Sequence, residues 1–181
     1  LEGRRCSIPS DAMGNCANKP KQVNPEAFSI LGLPIACLKR LVVLAEQKKL
    51  EPGPPSKMRP GGPRKEGEGL TTADVCFEII RPATEQLQCA YIELASAVLP
   101  GEVGRAGAFV SHAWLFDFAE LVSALEAANL PPETKFWVDI AVVNQHVNAK
   151  RGFEWWSTTF RGAIEGIGLT LLVLAPWRAP V

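Results

Sequence analysis

A chain of 181 residues with 47% hydrophobic content is long enough for one packed domain plus loosely attached extra chain. Its 19 basic and 19 acidic side chains cancel, which argues against a bulk electrostatic hold on nucleic acid or an anionic membrane. No apolar run reaches the roughly 18 residues of a membrane span; the longest, residues 169–176, has the length of a buried strand.

The five cysteines, Cys6, Cys16, Cys37, Cys76 and Cys89, include no C-x-x-C pair of the kind that holds zinc or runs redox chemistry. Their odd number and the lack of a signal-peptide pattern predict reduced thiols in a cytoplasmic setting. The chain starts at Leu1, which predicts a fragment of something longer.

Residues 1–24 carry no periodicity and are expected to be disordered. In residues 25–50, Leu31, Pro34, Ile35, Leu38, Leu41, Val42, Ala45 and Leu50 recur at helical spacing. Pro34 suits a first turn and Lys48 and Lys49 a last one, so an amphipathic helix is predicted. It either docks on the domain or serves a partner. Residues 51–69 are rich in proline and glycine. Such chain buries too little apolar surface to offset its ordering entropy, so a linker is expected, with the domain proper beginning near Leu70.

Residues 71–80 read as a short helix capped by Thr71 or Thr72 and ended by Pro82. Residues 84–99 read as a second helix, with Leu87, Tyr91, Leu94 and Val98 on one stripe. Gly101, Gly104 and Gly107 precede a strand rather than follow one, so they predict a lead-in turn and not a dinucleotide loop. The strand itself, Ala106 to Trp114, ends in Ser111, His112 and Trp114. A helix is predicted over 115–130, with Asp117 and Glu120 in its first turn. A second strand is predicted over 135–143, apolar on both pleat faces with Asp139 in the middle. A helix over 153–167, closed by Gly166 and Gly168, and a third strand over 169–174 complete the pattern.

Strand–helix–strand–helix–strand predicts an open parallel α/β sheet. Three strands are few for this class, which predicts that the domain continues past Val181. All three strands would deliver their carboxyl ends to one edge. That edge gathers Ser111, His112 and Trp114, then Asn144, Gln145 and His146, then Trp177 and Arg178. With strand two on one side of strand one and strand three on the other, the crevice opens between the first and third strand ends.

Each of these residues admits a functional and a structural reading. Ser111 lacks a nucleophile elbow and is expected to cap the following helix. His112 contacts a ligand or fixes its loop. Asp139 is an acid at the site rim, or is bonded to backbone amides, Ser111 or His112, because an unpaired buried charge is very costly. Asn144 and Gln145 shape their loop or bind a ligand. Trp114, Trp137 and Trp156 are expected in the core, and Trp177 is the best placed to stack on a planar ring. His112, His146 and Asp139 would mimic a metal site only with a geometry the sequence does not supply, so no metal is expected.

Phe109-Val110-Ser111-His112-Ala113-Trp114 resembles the first-strand signature of TIR-like domains. Phe136-Trp137-Val138-Asp139 followed by Val143-Asn144-Gln145 resembles fungal heterokaryon-incompatibility domains, relatives of the TIR fold. Ala163-Ile164-Glu165-Gly166-Ile167-Gly168 is similar to the second helix leading into the third strand. Ile80-Arg81-Pro82-Ala83-Thr84 and Tyr91-Ile92-Glu93-Leu94 are similar to a lead-in of large TIR-like proteins. The resemblance spans residues 70–181. It implies a three-layer, flavodoxin-like α/β/α fold with at least three parallel strands, C-terminally incomplete, carrying extra N-terminal helices.

The resemblance also implies two activities. Some members cleave NAD at the nicotinamide–ribose bond, and others self-associate or meet other TIR-like domains to pass a signal. The enzymes use a glutamate in the helix after the third strand, beyond Val181 here. Glu165 lies in the helix before it and does not substitute, so no catalytic residue is assigned. The resemblance leaves no cofactor required and NAD as substrate or ligand. Its binding residues would be Ser111, His112, Trp114, Asp139, Asn144, Gln145 and Trp177. A receiver-type alternative needs paired acids where this chain has Ser111-His112.

Overall fold

The computed structural model describes residues 29–50, 53, 63–147 and 152–174, without the side chains at 155, 156 and 159. The expectations for residues 1–24, for Trp177 and Arg178, and for the Trp156 side chain lie outside the described residues.

Three strands carry the predicted pattern: β3 (Ala108–Ser111), β4 (Lys135–Trp137) and β5 (Thr170–Leu172). β3 pairs in parallel with both others, Ala108 facing Phe136 and Val110 facing Leu171. Two further strands make the sheet mixed rather than purely parallel. They are β1 (Leu31–Pro34) and β2 (Gly104–Arg105), and the full order is β2-β1-β4-β3-β5. β1 runs antiparallel to both neighbours, with Leu33 opposite Phe136 and Leu31 opposite Arg105.

β1 corrects the helix expected from Leu31 onward. The helix α1 (Ile35–Lys48) begins only after Pro34, whose extended backbone (φ −67°, ψ 156°) is the helix N-cap. The reason is tight sheet packing. A Cβ on Gly32 would sit 2.9 Å from the Phe136 carbonyl carbon and oxygen, so glycine lets β1 close against β4. Leu33, Leu38 and Leu41 are buried in the same core cluster as Phe109 and Trp137. The core therefore reaches well upstream of Leu70.

The expected linker also meets this core. Arg64 is buried, with its side chain 1% exposed and Glu78 7% exposed across a 3.0 Å ion pair. Its Nη2 also donates to the Lys48 carbonyl at 2.9 Å, completing the end of α1. The Gly53 amide donates to the Arg64 carbonyl at 2.9 Å, so the two sides of this stretch meet at a common base.

The Thr71 prediction of a helix start holds: a capping box joins Thr71 and Asp74, with Asp74 N donating to Thr71 Oγ1 at 3.2 Å. Pro82 does not end the helix, however. α2 (Thr72–Val75) passes into a π segment, Cys76–Ile80, and then α3 (Arg81–Thr84). The π register places Pro82 in the first turn of α3, where its missing N–H is not required. The second predicted helix shrinks to α4 (Tyr91–Val98), because Gln88 takes a left-handed φ of 51° and breaks the run. Glu93 then accepts the Ala90 amide at 2.8 Å and restarts it.

After β3 comes α5 (Phe118–Ala127), capped by Asp117, which accepts the Glu120 amide at 3.0 Å. The cap is thus Asp117 and not Ser111. β4 stops at Trp137, and the rest of the predicted strand is a helical turn, α6 (Asp139–Val142). Ile140, Ala141 and Val142 are all buried, so the turn has the same unbroken apolar signature as a covered strand. α7 (Phe153–Ile167) ends as predicted at Gly168, which adopts the left-handed φ of 87°. Trp137 stacks on Phe109 with centroids 4.7 Å apart, and Phe160 from α7 meets both rings edge-on. These aromatics join β3, β4 and α7 in one core.

Candidate functional site at the carboxyl edge of the parallel strands

β3 and β4 end side by side, so the residues that follow them share one edge. The turn after β3 is held by the start of α2. The Ala73 and Thr72 amides each donate at 2.9 Å to the carbonyls of Trp114 and Phe116, and Phe118 donates to Leu70 at 2.9 Å. These bonds use helix amides that have no partner inside their own helix. They fix the direction in which Trp114 leaves the sheet.

Trp114 donates its indole Nε1–H to Asp139 Oδ2 at 2.6 Å. Asp139 Oδ1 accepts the Ile140 amide at 2.7 Å, as a carboxylate opening a helical turn does. Of the partners foreseen for this acid, the backbone amide is present and Ser111 is not. His112 approaches without a hydrogen bond: its Nε2 lies 4.0 Å from Asp139 Oδ1. The imidazole is 2% exposed and neither ring nitrogen has a hydrogen-bond partner. Buried polar groups are normally paired, so His112 is the unsatisfied member of this cluster.

The other predicted residues hold the neighbouring turn. Asn144 Nδ2 donates to the Gln88 carbonyl at 2.8 Å, and its Oδ1 accepts the His146 amide at 2.9 Å. Gln145 Nε2 donates at 3.1 Å to the carbonyls of Asp139 and Val143. Ser111 ends β3, and its carbonyl accepts the Val173 amide at 2.9 Å. The structure therefore brings His112, Trp114 and Asp139 together, with Asn144 and Gln145 framing them, while Ser111 is paired with β5.

His146 leaves the cluster. Its Nε2 lies 2.8 Å from Thr84 Oγ1 and its Nδ1 3.7 Å from Glu85. Thr84 gives its own proton to the Ile80 carbonyl at 2.9 Å, so the network assigns the Nε2–H of His146 as donor. A hydroxyl–imidazole–carboxylate string has the order of a nucleophilic triad. Here Thr84 is 1% exposed and committed to a helix carbonyl, so the string ties α3 to the 144–147 turn. Among the described residues, no group of three or more His, Cys, Asp or Glu is placed to hold a metal.

Two residues of the site were not singled out from the sequence. Phe77 meets Trp114 edge-on at 6.4 Å between centroids. Arg81 carries its guanidinium 5.5 Å from the centre of the Phe77 ring. Their spacing of four residues on one helical run was the available signal. The Cys76 thiol lies within electrostatic reach of both charges here. Burial pushes it up to about 12, Asp139 adds to the rise, and Arg81 opposes it.

The strand order reverses at β3, with β4 on one side and β5 on the other, which is where open α/β sheets bind ligands. A groove of about 420 Å³ lies beside this point, lined by Phe116, Leu125, Leu171, Val173 and Glu120 among others. It includes none of the predicted site residues, so the apolar groove and the polar cluster are neighbours rather than one cavity. No family model, no curated protein and no solved structure matches this chain.

Proposed function

We propose that this chain is a TIR-like signalling and interaction domain of a larger cytoplasmic protein, with a three-layer α/β/α plan. In this reading it takes NAD or a related nucleotide at the carboxyl edge of β3 and β4 and associates with copies of itself or with other TIR-like domains. The observation that carries the reading is His112. A buried imidazole without a hydrogen-bond partner sits at the sheet's switch point, beside a fixed carboxylate and an indole. A nucleotide offers an acceptor or donor for the unpartnered His112 imidazole and a planar ring for the aromatic side chains.

The hydrolytic alternative places the catalytic glutamate beyond Val181, and no described residue takes that role. The test is titration of NAD into ¹⁵N-labelled protein, with nicotinamide release followed in parallel. Because His112 is covered, binding moves the 112–116 turn, so the Trp114 indole N–H resonance shifts. An unmoved resonance at millimolar NAD would refute the binding reading. Nicotinamide release by this chain would refute the assignment of the catalytic group to a position outside it.

A further inference from the structure

We infer that Arg81 is the anion-recognising residue of this site, so that its ligand is a nucleoside phosphate and not a neutral nucleoside. The inference rests on ligand binding at the strand edge, as proposed above. Of the other arginines among the described residues, Arg161 lies exposed on α7 and three are engaged. Arg40 pairs with Glu102 at 3.1 Å, Arg64 with Glu78 at 3.0 Å, and Arg105 donates to the Gly166 carbonyl at 2.7 Å. Arg81, by contrast, has an aromatic ring at 5.5 Å and, among the described residues, no carboxylate partner. The planar guanidinium fork of an arginine fits two phosphate oxygens.

Its position links it to the unsatisfied imidazole. Arg81 contacts Phe77, Phe77 meets Trp114, Trp114 holds Asp139, and His112 stands beside Asp139. Asp139 alone would repel a phosphate. Arg81 supplies the opposing charge. The π segment immediately before Arg81 sets this side chain's angle, and such turns recur at functional sites.

The experiment compares AMP with adenosine, by calorimetry, on the full chain and on Arg81→Met and Arg81→Lys. Methionine keeps an unbranched apolar stem against Phe77. The wild type is expected to bind AMP at least about tenfold tighter than adenosine, as a charge-assisted contact gives, and the excess should shrink with added salt. Arg81→Met should bring AMP to the adenosine level and leave adenosine unchanged, with Arg81→Lys in between. Should Arg81→Met fail to fold, the wild-type ratio and Arg81→Lys still decide. Equal binding of AMP and adenosine, or a preference that survives Arg81→Met, overturns the assignment while leaving the site intact. If AMP, adenosine and NAD all fail to bind, the site itself is refuted and Arg81 with it.

Discussion

The indole of Trp114 and the carboxylate of Asp139 close a 2.6 Å hydrogen bond between the residues that follow β3 and β4. Two chain segments 25 residues apart in sequence meet there, and the bond depends on the parallel pairing of the strands that deliver them. It satisfies the Asp139 oxygen that does not face the Ile140 amide. A hydrogen bond to a charged group contributes about 1.5–3 kcal/mol. Trp114→Phe should therefore lower unfolding stability by roughly that amount, measured by urea denaturation. Asp139→Asn, which still accepts from the indole, should cost less. An unchanged stability in Trp114→Phe would show that the indole–carboxylate bond contributes nothing net.

Arg64 and Glu78 form a buried ion pair that the composition of residues 51–69 gave no reason to expect. Arg64 Nη1 has no partner among the described residues, so the pair carries desolvation that it does not fully recover. Arg64→Met alone leaves Glu78 buried and uncompensated and should cost about 3–5 kcal/mol. Arg64→Met combined with Glu78→Met should restore most of that loss. A double variant as unstable as the sum of the two singles would mean that the two side chains act independently, through contacts other than their pairing.

Gly32 is the place where β1 comes closest to its neighbour. Gly32→Ala would press a methyl group 2.9 Å from the Phe136 carbonyl, where backbone cannot yield as a side chain can. Overpacking of this kind costs about 1–3 kcal/mol. Hydrogen exchange should show the damage in Leu33 and Phe136 before α7 is affected. Unchanged protection at these amides would show that β1 tolerates a wider spacing.

Sequence reasoning reached the three parallel strands and their order because each lies between long periodic segments. α7 was legible to its last residue, since Ile164 and Ile167 lead into a glycine that takes a positive φ. The reasoning failed on short pieces. Leu31–Pro34 is four residues of apolar chain joined to a helix of the same character, so one periodicity absorbed the other. Ile140, Ala141 and Val142 are all buried, which erases the difference between a covered strand and a helical turn. The site was legible where it depended on strand ends, as at His112 and Asp139. It was not legible where it depended on the π segment, which aims Phe77 and Arg81, or on the Thr84–His146 contact, which crosses 62 positions.

The Cys76 thiol gives the cluster a signature at high pH. Burial first, and Asp139 second, push it from 9.0 up to about 12. The unfolded chain therefore releases this proton near pH 9 while the folded chain keeps it. Above that point the unfolded state binds fewer protons, so stability falls as pH rises. The contribution is fully present below pH 9 and is lost by about pH 12. Cys37, pushed from 9.0 up to about 12 by burial, acts in the same window and direction, and Tyr91, raised by burial from 10.0 to about 12, acts in the same direction above pH 10. Cys76→Ala should make the decline between pH 9 and 11 shallower without abolishing it, because Cys37, Tyr91 and Cys89, which burial also raises, remain. Chemical denaturation at a series of pH values measures the slope. An identical slope in Cys76→Ala would mean that Cys76 titrates alike in both states, and that the thiol is not enclosed beside Asp139.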